Sequence, residues 1–165
     1  VRIIGIDPGT RHLGWGIVRA EGTRLTCEGY GIVHPDVDLP IAGRLVQIDE
    51  ALGEVMREHV PEEAAVESLF FAKDAQAASK LGHARGVVLL VLAKAGVPIH
   101  EYEPARVKRA VTGRGRADKQ QVALMIKALL GLRELPGADA TDALAVAVTH
   151  AQYARLDRVL RSSGR

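Results

Sequence analysis

Four carboxylates stand where this chain changes its local character. Asp7 closes the apolar run Ile3-Ile4-Gly5-Ile6, and Glu67 closes Ala64-Ala65-Val66. Asp139 and Asp142 stand three residues apart, just ahead of the apolar run Ala143–Val148. The β-branched Ile3, Ile4 and Ile6 favour a buried strand, and Ala64-Ala65-Val66 reads as a short buried one, so Asp7 and Glu67 each stand at a strand end. An i, i+3 pair shares one face of a helix, and its first turn tolerates negative charge. Each acid also has an ordinary use. Asp7 could hold its own turn through an Asx hydrogen bond, and Asp139 could cap a helix. Asp142 runs on into an apolar face, and an acid aimed there needs a partner, which could be a metal ion. Carboxylates from three separate elements suit hard cations such as Mg²⁺ or Mn²⁺. Two such ions about 3.5–4 Å apart can activate a water and stabilise the leaving oxygen of a phosphodiester.

The elements that must position these acids follow from the pattern. Strand one ends at Asp7, and Pro8-Gly9 predicts a type II turn with Gly9 at positive φ. His12–Ala20 and Thr23–His34 are predicted strands joined at Glu21-Gly22, giving an antiparallel meander. Gly14 and Gly16 interleave with Leu13, Trp15 and Ile17, so one face of that strand can lie close against a helix. Pro40 opens a helix to about His59, with Ile41, Leu45, Ile48, Leu52 and Val55 at helical spacing. After the short strand that delivers Glu67 comes a loop over Ser68–Lys73, then a helix from Asp74 to about Ala95 that Gly96 closes. Val97–Tyr102 is the next strand. Helices follow from Pro104 to Val111, from Asp118 as N-cap to Leu130, and from Asp139 to about Leu156. The expected fold is α/β: a mixed sheet, with an antiparallel three-strand meander plus parallel strands, flanked by helices. Strands one and four would be parallel neighbours, setting Asp7 beside Glu67 at the edge where open α/β sheets place their sites.

The 165 residues allow a single domain with a real core, expected over residues 1–157, followed by a basic tail at 158–165. Hydrophobic residues make up 47% and charged residues 25%, and the apolar run Val87–Ala93 is too short to cross a bilayer. No signal peptide pattern precedes the first strand, and the lone Cys27 cannot form an internal disulfide, so a cytoplasmic location is expected. The net charge of +2 is unevenly placed. Nine acids against Arg44 and Arg57 occupy Glu28–Glu63, whereas Arg106–Lys119 holds six basic residues against Asp118 alone. Such a basic patch is the footprint of a polyanion partner, although many charge runs are simply solvated.

Four stretches in order carry a resemblance: Gly5-Ile6-Asp7-Pro8-Gly9, then Ala65-Val66-Glu67-Ser68-Leu69-Phe70-Phe71-Ala72-Lys73, then Lys80-Leu81-Gly82-His83-Ala84-Arg85-Gly86, and last Asp139-Ala140-Thr141-Asp142-Ala143-Leu144-Ala145. Over nearly its full length the chain resembles the RuvC-type Holliday junction resolvases, bacterial endonucleases with a ribonuclease H-like fold. The resemblance places catalytic, metal-binding acids at Asp7, Glu67, Asp139 and Asp142. Some family members carry His at the third position, where this chain has Asp139. It implies hydrolysis of a phosphodiester in four-way junction DNA by divalent-metal-activated water, with Mg²⁺ or Mn²⁺ as two ions per site. It further implies a homodimer that makes paired symmetric nicks, and action with the RuvA–RuvB branch-migration complex in recombination and repair.

The same resemblance places a base-stacking ring at Phe70 and DNA contacts at Lys108 and Lys119. Phe71 and Lys73 lie in the same stretch and are counted with them. Neighbouring rings in extended backbone point opposite ways, so one can be buried while the other meets bases. Charge and loop position add Arg106, Arg109, Arg114 and Arg116, each of which could equally be solvated. The helix from Asp74 is rich in Ala and Gly, and the family's dimer uses this region. Two rivals remain at this point. A junction-binding module without catalysis would keep the basic loop but has no need of four placed acids. An actin-like ATPase carries a similar opening motif but needs two such domains to clamp a nucleotide.

Overall fold

The computed structural model describes residues 1–68 and 75–163, without the side chains of 157–159 and 161–163. Its elements are β1 (Arg2–Asp7), β2 (Leu13–Glu21), β3 (Arg24–Val33), α1 (Ile41–His59), β4 (Glu63–Glu67), α2 (Ala75–Lys94), β5 (Ile99–Tyr102), α3 (Pro104–Thr112), α4 (Lys119–Leu130) and α5 (Ala138–Ser163). The sheet order is β3-β2-β1-β4-β5. The meander β1-β2-β3 is antiparallel, while β4 and β5 run parallel to β1, as the pattern predicts.

Strand alternation assigns the two faces of the sheet. On β1, Ile4 and Ile6 pack with α1 and α2 residues such as Ile48, Leu52, Val88 and Leu92. Ile3 turns the other way, into the layer built by α3, α4 and α5. On β4, Ala64 and Val66 join the first face and Ala65 the second. Burying each isoleucine contributes on the order of 1.5–3 kcal/mol. The same parity carries Gly5 and Asp7 of β1, and Glu63 and Glu67 of β4, toward the α5 face. The partner pair Ile6 and Val66 is the last before Asp7 and Glu67, so the two acids leave the sheet side by side.

Helix α5 lies on that face at main-chain distance. A Cβ on Gly5 would stand 2.0 Å from the Ala143 carbonyl oxygen, and one on Gly14 would stand 1.9 Å from that of Asp139. One on Gly16 would meet Leu144 at 2.6 Å. The close helix expected over Gly14 and Gly16 is therefore α5, and its first turn is pressed against the start of β2. Asp7 is the register partner of Gly14, so the glycine that admits Asp139 sits next to Asp7.

Three expectations need correction. Gly9 does not adopt positive φ, so Pro8-Gly9 is not a type II turn. Glycine is required there for space, because a Cβ would lie 2.2 Å from the His12 carbonyl oxygen. The strand expected from Val97 begins only at Ile99. The last helix does not stop near Leu156 but runs to Ser163; its terminal polar residues break the apolar period without breaking the helix. Asp118 caps α4 as expected, through a capping box with Gln121.

Gly5→Ala should destabilise the protein by about 2 kcal/mol or more, since the clash is with backbone rather than a movable side chain. Gly53→Ala, in the middle of α1 with only the end of Arg57 nearby, should instead be neutral or stabilising by up to about 1 kcal/mol. Urea titration of both variants checks the pair, and equal effects would contradict this account of α5 packing.

Candidate active site

The four acids share one electrostatic neighbourhood. Asp7 is pushed up from 3.8 to about 7, first by burial and then by the negative charges of Glu67, Asp142 and Asp139, with Lys119 opposing. Glu67 is also raised, by burial and by Asp142, against the pull of Lys119 and Lys108. Asp139 is in the first turn of α5. Helix start Ala138 precedes it, so it is not the cap residue, and the capping use left open above does not account for it.

Lys119, the first residue of α4, reaches across to Asp142 with Nζ to Oδ2 at 3.3 Å. Its own pKa is raised by Asp142 first, then by Asp7 and Glu67. Glu67, Lys108, Lys119 and Asp142 line a pocket of about 260 Å³ floored by Pro104, Val107, Val122 and Ala145. A larger hollow of about 620 Å³ lies between α1 and α2, lined by Asp49, Glu54, Arg57 and Lys94 among others. None of the four acids lines it, whereas the smaller pocket is lined by two of them, Glu67 and Asp142, together with Lys108 and Lys119.

This donor set fits a hard divalent cation. Oxygen ligands from β1, β4 and α5 are present, and one of them cannot ionise cheaply at neutral pH without added positive charge. Among the described residues no group of three acidic, imidazole or thiol side chains is gathered tightly enough to hold an ion as it stands. Lys119 takes Asp142 as its counter-ion.

The remaining sequence-predicted residues divide clearly. Lys108 and Lys119 stand at the pocket. Arg114 and Arg116 are exposed in the α3–α4 connection, where the Thr112 hydroxyl donates to the Arg114 carbonyl and accepts from its N–H. Arg109 is exposed at the end of α3. Arg106 is not brought to the acids; its guanidinium lies 4.1 Å from the centre of the Tyr153 ring. Phe70, Phe71 and Lys73 fall outside the described residues.

Sequence reasoning passed over Arg85. Its side chain is buried, donates to the Glu67 carbonyl at 2.7 Å and pairs with Glu101 at 2.6 Å. The available signal was an arginine in register with the apolar positions Val88, Val91 and Leu92 of α2, rather than with its exposed residues.

The family model described as crossover junction endodeoxyribonuclease RuvC matches residues 3–150. The chain belongs to the RuvC family. It is 56% identical over 164 residues to the crossover junction endodeoxyribonuclease RuvC of Sorangium cellulosum, covering 99% of this chain and 92% of that one. The structure of Thermus thermophilus RuvC superposes with a TM-score of 0.87 at 40% identity, covering 95% of this chain and 97% of that one. The same protein in complex with its Holliday junction substrate gives 0.89 at 40% identity, over 94% and 96%. The expected α/β, ribonuclease H-like architecture and the expected endonuclease family both hold. RuvC enzymes are divalent-metal-dependent nucleases, in keeping with the carboxylate cluster.

Because Asp7 binds its proton more tightly folded than unfolded, the native state holds the extra proton between about pH 4 and pH 7, and stability falls as pH rises through that window. In chelator, Asp7→Asn should therefore melt above the wild type at about pH 8, by roughly 2 kcal/mol or more, and the gap should close toward about pH 5. Scanning calorimetry across that range checks both the sign and the window.

Proposed function

We propose that Asp7, Glu67, Asp139 and Asp142 are the metal ligands and catalytic acids with which this RuvC family member cuts four-way junction DNA. The observation that carries the reading is the burial of Asp7 among three further carboxylates, one from β4 and two from α5. Mg²⁺ or Mn²⁺, as two ions per site, would activate the attacking water and neutralise charge on the leaving oxygen. The protein's own part is to orient and hold. The strand ends fix Asp7 and Glu67, α5 fixes Asp139 and Asp142, and Lys108 and Lys119 offer ammonium groups to the scissile and adjacent phosphates. Cations held by the acids would compete with Lys119 for Asp142 and free its ammonium group for that purpose. Arg114 and Arg116 extend the basic surface along the α3–α4 connection. Phe70 and Phe71, with Lys73, would meet unstacked bases just past Glu67, as their place in the sequence supports.

Paired symmetric nicking calls for a homodimer, and α2 supports one. A Cβ on Gly82 or Gly86 would meet nothing within 4 Å, and Leu90 on the same outward side is half exposed. Close approach of a second α2 would use such a surface. The nuclease domain in this reading spans 1–157, and the basic segment 158–165 extends it. Membership of the RuvC family supports action beside RuvA–RuvB in the cytoplasm, during recombination and repair. Among the described residues no helix is long and apolar enough to cross a membrane.

Asp7→Asn, Glu67→Gln, Asp139→Asn and Asp142→Asn should each abolish cutting of a synthetic mobile four-way junction in Mg²⁺ or Mn²⁺ while still binding it in chelator. Sizing the products and a gel-shift assay check this. Substantial nicking by any one variant removes that residue from the catalytic set.

Lys108→Gln combined with Lys119→Gln should weaken junction binding and reduce the slope of log affinity against log salt by roughly one unit per lost phosphate contact. An unchanged slope would place both lysines away from the DNA.

A further inference from the structure

Glu67 has two ends to be controlled, its carboxylate and its peptide. The carboxylate faces Asp142, Lys119 and Lys108. The peptide is held from the opposite side of the sheet. Arg85 Nη1 donates to the Glu67 carbonyl oxygen at 2.7 Å, and Nη2 pairs with Glu101 Oε2 at 2.6 Å. Glu101 is the register neighbour of Val66 on β5, and the Ser68 N–H continues the ladder onto the Tyr102 carbonyl. One guanidinium therefore bridges the ends of β4 and β5 at the point where the catalytic strand stops. The arginine is buried on the inner side of α2 beside Ala84 and Val88, a placement that costs desolvation unless its donors are used.

We propose that Arg85 is the positioning residue of Glu67: by gripping the Glu67 carbonyl and the Glu101 carboxylate together, it fixes the direction in which Glu67 presents its side chain to the acid cluster. A strand end is free to fray and rotate its last side chain. A planar fork with two fixed partners removes that freedom, where a single flexible ammonium would hold only one of them. Arg85 also lies between Gly82 and Gly86, which face outward from the same helix, so the helix offered to a partner subunit is tied to the metal site by this contact. The proposal rests on the reading of Glu67 as a metal ligand.

The test is Mn²⁺ binding to the full chain without DNA, by titration calorimetry, beside thermal melting and junction binding in chelator. Arg85→Met should weaken Mn²⁺ binding about tenfold or more, the size usual for loss of a group that orients a ligand. Arg85→Lys should fall between it and the wild type, at about threefold, because it keeps one of two contacts. Junction binding in chelator should be unchanged in both. Leu92→Ala, a buried change on the same helix, should lower the melting temperature and leave Mn²⁺ affinity intact. A folded Arg85→Met with Mn²⁺ affinity within about twofold of wild type overturns the proposal, as does an equal loss in Leu92→Ala. If Arg85→Met does not fold, wild-type affinity in Arg85→Lys overturns it. Glu67→Gln separates the two readings. Unchanged Mn²⁺ binding there removes Glu67 from the ligand set, whereas a loss there with none in the Arg85 variants overturns the positioning role alone.

Discussion

The contact on which the site depends is between backbones. Helix α5 crosses the sheet over Gly5 and Gly14 at a distance that admits no side chain. Without that approach, Asp139 and Asp142 would be held off by a layer of side chains, the usual spacing of a helix over a sheet. Asp7 and Glu67 would then meet only each other. The run Ala143, Leu144, Ala145, Val146, Ala147 and Val148 that follows is buried throughout, so apolar burial anchors the helix while its first turn presents charge. Here packing and the carboxylate cluster use the same few residues.

Gathering four carboxylates works against folding. Asp7 is raised to about 7 by its burial first and by the other three acids second, and the structure offsets that cost in two ways. Lys119 is supplied by α4, whose start is fixed by the Asp118–Gln121 capping box, so the ammonium group arrives on a rigid helix end. The cores on both sides of the sheet supply the rest. A site of this kind is less stable metal-free than loaded, since any cation that binds only the native acids adds its binding energy to folding.

Much of this was legible in the chain because strands and helices announce themselves by period and by what interrupts it. Ile3, Ile4 and Ile6 followed by Asp7, and Ala64-Ala65-Val66 followed by Glu67, mark strand ends; Gly14 and Gly16 mark a close helix. What was not legible lies in tertiary space. Gly9 looks like a turn glycine in sequence, yet its role is to clear the His12 carbonyl. Arg106 counts as basic surface in sequence, yet the Tyr153 ring, brought to it by packing of α3 on α5, engages it. Arg85 is one of three basic residues in α2, with Lys80 and Lys94, and only the β4–β5 pairing shows what it holds.

Glu63 and Glu67 of β4 show how one strand can place like side chains in unlike surroundings. They share a strand and, by alternation, a face. Glu63 meets His150 of α5 at 2.7 Å, and that imidazole is in turn 2.8 Å from the Tyr102 hydroxyl and stacked on His100. These contacts tie β4, β5 and α5 together. Four residues along, near the start of α5, the same side chain type is raised instead, by burial first and then by Asp142. The helix that supplies a partner at one end of the strand withholds it at the other. An acid left in that state by its own fold is one that a cation would complete.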